Sequence, residues 1–493
     1  MFSRKPLQIM LSAALVMIAG GAESADTLFD NFTPLTASAS PTTTPATPIT
    51  FSSPVFSQVT IADRATQNAL MPASNSGNWD MITANETGPD AGRFLFMPFE
   101  TSAGGVQRID LWDANYNTRT VTIVAPGTQG FVAGDASRWT PWGSYLTAEE
   151  SWGTGSSRGR LFEIANSTTA GANSGNFVQR NIVPRVSHEG LAFDSQKSMY
   201  FIDELNGGSL YKYVSANPNA TSGDAYFSNG QTFVLKVGAG GQFEGNNGPA
   251  ITGASSWVAI TDVDGLPTVD TVTALVNASG PAIDGRKAAD LVGGTGYNRP
   301  EDLEIQNLAS GDQLLYFATT DSDTNANTAD GRSRVYTLNL TDGSVNLFAD
   351  SSTIDLGTGL AAGGGLRNAD NLAIDAAGNI YFIEDRDGGV DDDIWIAVDM
   401  NHDGDLGDAG EGIARWASNG TPGSEFTGLY FDRFDPNKAY VNIQHPADGV
   451  DRTIMITAAP VPEAETYAMM LAGLGLVGLR LRRKSGNARA IEA

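Results

Sequence analysis

The sequence contains no cysteine among its 493 residues and only three histidines, His188, His402 and His445. Without cysteine the chain can form no disulfide, no thiolate nucleophile and no thiolate metal site. Three histidines are also too few for a zinc centre built from several imidazoles. If the protein binds metal ions, oxygen atoms must therefore supply most of the ligands.

Basic residues are scarce as well. The chain has 30 Lys and Arg residues against 56 Asp and Glu residues, which gives a formal net charge of -26. Such an excess of carboxylates repels nucleic acid and anionic lipid, so we expect no nucleic-acid partner. Hard divalent cations prefer oxygen ligands, and an acidic chain suits their binding. Most of these carboxylates are nevertheless expected to be solvated surface groups.

The apolar run near the N-terminus, residues 7–19, is too short to span a bilayer, which needs roughly 20 residues. Arg4 and Lys5 precede this run, and the small residues 20–22 follow it. This order predicts a signal peptide over residues 1–25, and the Arg-Lys pair loosely resembles a twin-arginine signal. Residues 26–53 are rich in Thr, Pro and Ser, which predicts a flexible lead-in.

The C-terminal end combines a short motif, an apolar stretch and a basic stop. VPEAETY at 461–467 is followed by the apolar residues 468–479 and the basic residues 480–484. The order resembles the PEP-CTERM sorting tail of Gram-negative bacteria, although Ala464 stands where that family usually has proline. A simple membrane anchor is the alternative, for which the apolar run is short. We assign the tail to 460–484 and a remnant to 485–493.

The sorting-tail resemblance has consequences for partners and location. It implies export from the cytoplasm, transient membrane association through the tail, and processing by an exosortase-type enzyme. The mature protein is then expected at the cell surface or outside the cell. Bacteria with such tails make extracellular polysaccharide, which is therefore a further expected partner.

Between the ends, residues 54–459 consist of short apolar runs broken by Gly, Asp and Asn. Similar units recur at 190–213, 302–338, 371–398 and 428–456. Each unit reads as three short strands with a turn after the first. Repetition of sheet-sized units with irregular insertions predicts an all-β fold, namely a β-propeller.

Five short segments place carboxylates at strand ends or turns: 135–150, 185–189, 298–302, 368–371 and 442–446. The starts of strands from different blades converge on the central channel of a propeller. Carboxylates that are distant in sequence could therefore surround one cluster of cations. Such cations would position a phosphate ester and stabilise developing negative charge.

These segments also carry a family resemblance. Five segments, taken in order, resemble the PhoX-type alkaline phosphatases. They are TPWGSYLTAEE, SHEGLAFD, NRPEDLEI, ADNLAIDAAGNIYFIED and the run from EFTG to QHP. The resemblance covers most of the chain from 135 to 446. It implies a six-bladed propeller that hydrolyses phosphomonoesters with calcium and iron in its central channel.

The resemblance also implies roles for individual residues. Glu150 and Asp370 match calcium-ligand positions, and Glu189 and Glu301 match metal-bridging glutamates. Arg299 lies beside Glu301 in sequence and is the expected phosphate contact, because a guanidinium can bind phosphate oxygens in a bidentate manner. Glu189, Glu301 and Arg299 are thus the expected catalytic group.

One position departs from the family. Asp135 stands where the phosphatases have the cysteine that ligates iron, and Ala148 replaces a second cysteine. A carboxylate can bind ferric iron or calcium, but it changes the charge and hardness of the site. Calcium (Ca2+) is therefore the expected ion, and iron (Fe3+) at Asp135 is placed in doubt.

A separate acidic segment resembles the opening of an EF-hand calcium loop. Asp399, Asn401, Asp403 and Asp405 supply oxygens at alternate positions, with Gly404 at the sharp turn. Gly410 occupies the twelfth position, where a glutamate is expected, and Glu411 comes one residue late. We predict a surface calcium-binding insertion, with an acidic hairpin turn as the alternative.

Three functions stay open at this point. The chain is an exported metal-dependent phosphomonoesterase, a non-catalytic calcium-binding propeller of the polysaccharide matrix, or another propeller hydrolase such as a lactonase. Repeated acidic turn residues are often structural in blades. We assign that role to Asp194, Asp203, Asp375 and Asp432.

Overall fold

The computed structural model describes residues 27–150, 156–245, 248–269, 273–277, 280–320, 333–386 and 392–460. Within these ranges the chain is almost entirely β-structure, arranged as six four-stranded units. The first strands of successive units contact one another around a common centre. The predicted all-β propeller is confirmed, with six blades. The predicted signal peptide, 1–25, and the sorting tail beyond residue 460 lie outside the described residues.

Blades one to three are formed in chain order. Their strands are β3 Thr83–Ala84, β4 Phe94–Pro98, β5 Val106–Asp110 and β6 Thr120–Val124; β7 Gly134–Trp139, β8 Tyr145–Glu149, β9 Leu161–Ile164 and β10 Phe177–Gln179; and β11 His188–Phe193, β12 Met199–Asp203, β13 Leu210–Ser215 and β14 Gly230–Val237.

Blades four to six follow the same plan. Their strands are β18 Pro300–Asn307, β19 Gln313–Thr319, β20 Arg334–Asn339 and β21 Ser344–Ala349; β24 Ala369–Ile374, β25 Ile380–Glu384, β26 Asp392–Val398 and β27 Gly412–Asn419; and β28 Glu425–Phe431, β29 Lys438–Gln444 and β30 Arg452–Ala458.

The remaining elements connect or extend the blades. They are β1 Ile49–Phe51, β2 Phe56–Asp63, β15 Gly253–Ala259, β16 Thr273–Asn277, β17 Gly280–Ile283, β22 Ile354–Asp355, β23 Leu360–Ala361, α1 Arg64–Leu70, α2 Gly223–Tyr226, α3 Gly285–Val292 and the 3-10 turns Thr128–Gly130 and Gly363–Gly365. Strand β15 pairs with both β14 and β21, so blades three and four share one nine-stranded sheet. In the described part of the chain, no helix has the length and apolar character needed to cross a membrane.

Strand β2 closes the ring, because it completes blade six from the other end of the chain. It pairs antiparallel with β30 from Phe56 opposite Ala458 to Asp63 opposite Arg452. A closed ring leaves no exposed edge between the first and last blades. The N-terminal strand therefore holds the C-terminal blade in place.

The segment predicted as a flexible lead-in, 26–53, differs from that prediction over its described part. Phe29 is fully buried and packs edge-on against Phe56 and Trp416. Strand β1 pairs with β27, and Gln58 hydrogen-bonds both main-chain groups of Ile49. The Thr, Pro and Ser composition predicts flexibility because it does not register the few apolar residues that pack this segment against blades five and six.

Three blades share a structural tie between their first and second strands. An aspartate at the end of the first strand accepts a hydrogen bond from a tyrosine hydroxyl of the second strand. The pairs are Asp194–Tyr200 at 3.1 Å, Asp375–Tyr381 at 3.1 Å and Asp432–Tyr440 at 3.2 Å. Asp203 instead forms a buried ion pair with Arg286 at 2.6 Å. The structural role predicted for these four aspartates is confirmed.

Candidate metal centre

Each blade contributes one carboxylate to the centre of the propeller. These six residues, called the first ring, are Asp80, Asp135, Glu189, Glu301, Asp370 and Glu425. In blades two to five the carboxylate is the second residue of the first strand, inside a β-bulge. A bulge changes the direction of a side chain. The bulges therefore explain how strands buried on both faces turn a charged group toward the centre.

The backbone just before the first ring is also unusual. In four blades the residue two positions earlier has a left-handed conformation without being glycine; in blades two, four and five it is Ala133 at φ 41°, Arg299 at φ 46° and Asn368 at φ 44°. Asn78 at φ 45° and Gly423 at φ 74° hold the equivalent places in blades one and six. Strained backbone of this kind concentrates at functional sites.

A second ring of polar residues follows the second strand of each blade. It consists of Glu100, Glu150, Glu204, Thr320, Asp385 and His445. In five blades the main-chain N–H of this residue donates to the carbonyl oxygen of the residue two places before the first-ring carboxylate. These bonds are Glu100–Asn78 at 2.8 Å, Glu150–Ala133 at 2.9 Å, Glu204–Ser187 at 2.9 Å, Thr320–Arg299 at 3.0 Å and Asp385–Asn368 at 3.0 Å. The same main-chain hydrogen bond, repeated in five blades, thus holds each second-ring residue next to the segment that carries the first-ring carboxylate.

Carboxylates of the first ring crowd together. Ligand oxygens of Glu189, Glu301 and Asp370 all lie within 4.8 Å of one another. Glu189 and Glu301 are buried, and Asp370 is half-buried. Burial, followed by repulsion from Asp135 and Asp370, raises the pKa of Glu189 well above its usual value. Burial and repulsion from Glu301 do the same to the pKa of Asp370.

The crowding extends to the second ring. Burial, together with repulsion from Asp385, raises the pKa of Asp80 to about 7. Burial and the neighbouring Asp80 raise the pKa of Glu100 to about 8, and burial raises that of Glu150 to about 8. Glu204 is affected in the same direction by burial and by Glu150. The carboxylates whose pKa values are raised therefore favour either protons or bound cations over free negative charge.

Arg299 is the cation of this centre in blade four. Its guanidinium forms an ion pair with Glu204 of blade three and lies 3.3 Å from Glu301. The side chain keeps 17% of its surface exposed. A guanidinium in this position can bind phosphate oxygens in a bidentate manner. Arg299 therefore lies beside Glu301, which belongs to the group of three close carboxylates.

The histidines of the two motifs differ in environment. His445 belongs to the second ring, where its Nε2 lies 2.6 Å from Glu425 Oε1 and its Nδ1 lies 3.1 Å from the Gly423 carbonyl oxygen. His188 is fully buried beside Phe201, and burial lowers its pKa to about 3. His188 is therefore a neutral core residue, and only His445 faces the carboxylates.

The donor set fits a hard cation. Its carboxylate oxygens come from all six blades, and Glu189, Glu301 and Asp370 form a group that could hold a metal ion. The Oδ1 atoms of Asp135 and Asp385 are buried and have no hydrogen-bond partner. Burying a carboxylate oxygen without a hydrogen-bond partner costs free energy, unless a cation binds to it. Oxygen-rich sets of this kind suit calcium and also accept ferric iron.

All six residues predicted for the centre lie in it: Asp135, Glu150, Glu189, Arg299, Glu301 and Asp370. The centre also contains five carboxylates that were not predicted from the sequence: Asp80, Glu100, Glu204, Asp385 and Glu425. A signal for three of the ring positions was present, because YLTAEE, YFIDE and YFIED each end an apolar second strand with two acidic residues. The last residue of each belongs to the second ring.

The acidic loop after β26 lies apart from the two rings. Asp399 accepts the N–H groups of Asp403 at 3.3 Å and Gly404 at 2.9 Å. Glu411 accepts the N–H of Met400 at 3.1 Å, so its carboxylate closes the loop although it is one residue late. Asn401 donates to Asp403 at 2.9 Å, and the N–H of Asp405 donates to Asp403 at 3.1 Å. The loop is ordered by its own oxygens.

Comparison with solved structures shows only distant likeness. A polysaccharide lyase, Uly1, has 11% identity and a TM-score of 0.34, over 77% of this chain and 89% of its own. YCF48 bound to a D1 peptide has 8% identity and a TM-score of 0.34, over 83% and 98%. A thermostable family-43 glycoside hydrolase has 13% identity and a TM-score of 0.30, over 67% and 95%. No curated protein sequence matches the chain.

Two family models match the chain. The PEP-CTERM protein-sorting motif matches residues 460–484, which indicates export and sorting to the cell surface. The alkaline phosphatase PhoX model matches residues 129–447, a span that includes blades two to five, two strands of blade six and most of both rings. On this match, the chain belongs to the PhoX family of alkaline phosphatases.

Proposed function

We propose that the protein is an exported, calcium-dependent phosphomonoesterase and that the two rings form its catalytic centre. The observation that carries the proposal is the convergence of ten carboxylates on the centre of the propeller, two of which contact Arg299. Such an arrangement repels a phosphate dianion unless bound cations neutralise the negative charge of the carboxylates. With cations bound, the same centre becomes complementary to phosphate oxygens.

Glu189, Glu301 and Asp370 would hold the central cation, with Asp135 and Glu150 as further ligands. Bound cations supply charge stabilisation for the transferring phosphoryl group. Arg299 orients the phosphate through its guanidinium, and its pairing with Glu204 keeps that group in place. Burial of the carboxylates excludes water from the groups that face the ester, which strengthens each charge interaction.

Iron is a second candidate ion of the centre, at Asp135. The neighbouring Glu189 supplies another carboxylate, and ferric iron accepts such oxygen ligands. The metal content of the purified protein decides between calcium alone and calcium with iron.

A calcium-binding matrix protein without catalysis is the second candidate function. Asp135, which stands where the family has a cysteine, favours it, because the change removes a soft ligand from the centre. In that case the calcium-loaded protein would bind extracellular polysaccharide. The tail would serve the same exosortase-dependent route to the cell surface in either case.

The experiment that separates the two functions is hydrolysis of a chromogenic phosphomonoester by the purified mature protein. It is run with calcium, with calcium and iron, and after a chelator. Turnover that the chelator abolishes supports the phosphomonoesterase. Calcium binding by a folded protein without turnover supports the matrix protein.

The acidic loop is proposed as a separate, structural calcium site made by Asp399, Asn401, Asp403 and Asp405. Alternate oxygens and a sharp turn at Gly404, where φ is 85°, support this proposal. Equilibrium calcium binding to wild type and an Asp403 variant tests it.

A further inference from the structure

Thr320 occupies the one place in the second ring that has neither a carboxylate nor an imidazole. The equivalent residues of the other blades are Glu100, Glu150, Glu204, Asp385 and His445. Thr320 is 2% exposed and follows directly after β19. A buried hydroxyl at this point in an acidic ring requires a hydrogen-bond partner.

Thr320 makes two contacts that hold the same short segment. Its main-chain N–H donates to the carbonyl oxygen of Arg299 at 3.0 Å, and its hydroxyl donates to Glu301 Oε1 at 2.6 Å. Arg299 is the residue with a left-handed backbone, and Glu301 belongs to the group of three close carboxylates. One residue therefore fixes both ends of the Arg299–Glu301 segment.

The hydrogen bond from the Thr320 hydroxyl helps to orient the Glu301 carboxylate. Glu301 Oε1 is also the atom that lies 3.3 Å from the Arg299 guanidinium. Two donors on Oε1 orient the carboxyl group while its other oxygen remains available as a ligand. An acidic residue in place of Thr320 would instead repel Glu301, since like charges at this distance disfavour one another.

We propose that Thr320 is a positioning residue that orients Glu301 for cation binding and thereby sets the calcium affinity of the centre. The inference rests on the proposed function only in naming calcium as the cation. Groups that hold a metal ligand in place typically change metal affinity or activity by about 10- to 100-fold when they are removed.

The test compares Thr320→Val, which removes only the hydroxyl, with Thr320→Ser, which keeps it. Thr337→Val is the matched control, because Thr337 is a buried threonine of β20 in the same blade. Calcium binding to the full mature protein is measured by calorimetry at one pH. We expect Thr320→Val to bind calcium about 10- to 100-fold more weakly. Thr320→Ser and Thr337→Val should bind as wild type does.

Thermal unfolding in chelator shows whether Thr320→Val is folded, and Thr320→Ala replaces it if it is not. Wild-type affinity in a folded Thr320→Val or Thr320→Ala variant overturns the proposal, as does equal weakening by Thr320→Ser. Failure of the phosphatase assay is a separate result. A wild type that binds calcium but hydrolyses no ester refutes the proposed function, while the affinity comparison still decides the role of Thr320.

Discussion

Glu149 and Glu150 are adjacent in sequence but have opposite environments. Glu149 is fully buried and pairs with Arg160, which also donates to the carbonyl oxygens of Gln129 and Gly130. Glu150 is a member of the second ring, where other carboxylates surround it and its pKa is raised to about 8. Glu149 is the last residue of β8 and Glu150 is the first residue beyond it, so one acid supports the fold and the other faces the centre.

This contrast predicts opposite effects of the same substitution. Glu149→Gln should destabilise the protein by about 3–5 kcal/mol, because it leaves the buried Arg160 without its partner. Glu150→Gln should stabilise the calcium-free protein at pH 9, because it removes one of several mutually repelling groups, and should lower phosphatase activity. Denaturant unfolding in chelator and activity per folded molecule check both. Loss of stability in both variants would contradict the contrast.

A pH dependence follows from the raised pKa values of the rings. The folded, calcium-free protein binds more protons than the unfolded chain between the ordinary carboxyl pKa of about 4 and the raised values of about 7 for Asp80 and about 8 for Glu100 and Glu150. The protonated carboxyl groups therefore contribute to the stability of the folded, calcium-free protein at low pH. This contribution to stability is lost as the pH rises through about 7–8.

The temperature at the midpoint of thermal unfolding in chelator should accordingly decrease as the pH is raised from 5 to 9. Calcium should remove most of that fall, since it binds the deprotonated carboxylates. Scanning fluorimetry across the pH range, with and without calcium, measures both effects. A calcium-free midpoint that rises over this range would show that the rings are not protonated as described.

Glu301→Gln should lower phosphatase activity by at least about 100-fold, because it removes a ligand atom rather than a supporting group. It should also weaken calcium binding. Asp342→Asn, an exposed turn residue of the same blade, is the control with equal loss of charge. Equal activity in the two variants would remove Glu301 from the centre.

Arg299→Lys should raise KM for a phosphomonoester while calcium binding stays near the wild-type value. Lysine keeps the charge but loses the planar pair of donors. A hydrogen bond to a charged group contributes about 1.5–3 kcal/mol, which corresponds to roughly 10- to 150-fold in kcat/KM. Steady-state kinetics at saturating calcium provides the test. An unchanged kcat/KM would exclude a phosphate contact by Arg299.

Asp403→Ala should reduce the number of bound calcium ions by one and leave phosphatase activity unchanged, because the acidic loop lies apart from the rings. Metal analysis after equilibrium dialysis gives the number of ions. If this variant retains the full number, the loop is an acidic hairpin turn and not a calcium site.

The fold could be predicted from repeated strand patterns, because each blade buries its own apolar second strand. Runs such as MYFID and IYFIE carry that pattern openly. Strand β2 could not be assigned to blade six, because its pairing with β30 spans nearly the whole chain. The packing of Phe29 against Trp416 was hidden for the same reason.

The candidate site was predicted where a motif surrounds the carboxylate, as at Glu189 and Glu301. Asp80 and Glu100 lie outside such motifs, and only the propeller geometry brings them to Asp135. Thr320 could not be found from residue type, since a threonine beside an apolar strand carries no charge and is no usual sign of a metal centre. Its position opposite Glu301 depends on the register of β18 and β19.

The most direct test of the central claim is the rate of phosphomonoester hydrolysis by the purified mature protein as calcium is removed and restored. The proposed function predicts turnover that falls to background with chelator, returns with added calcium, and is absent in Glu301→Gln at every calcium concentration. Turnover that persists in chelator, or no turnover by a folded and calcium-loaded wild type, would contradict it.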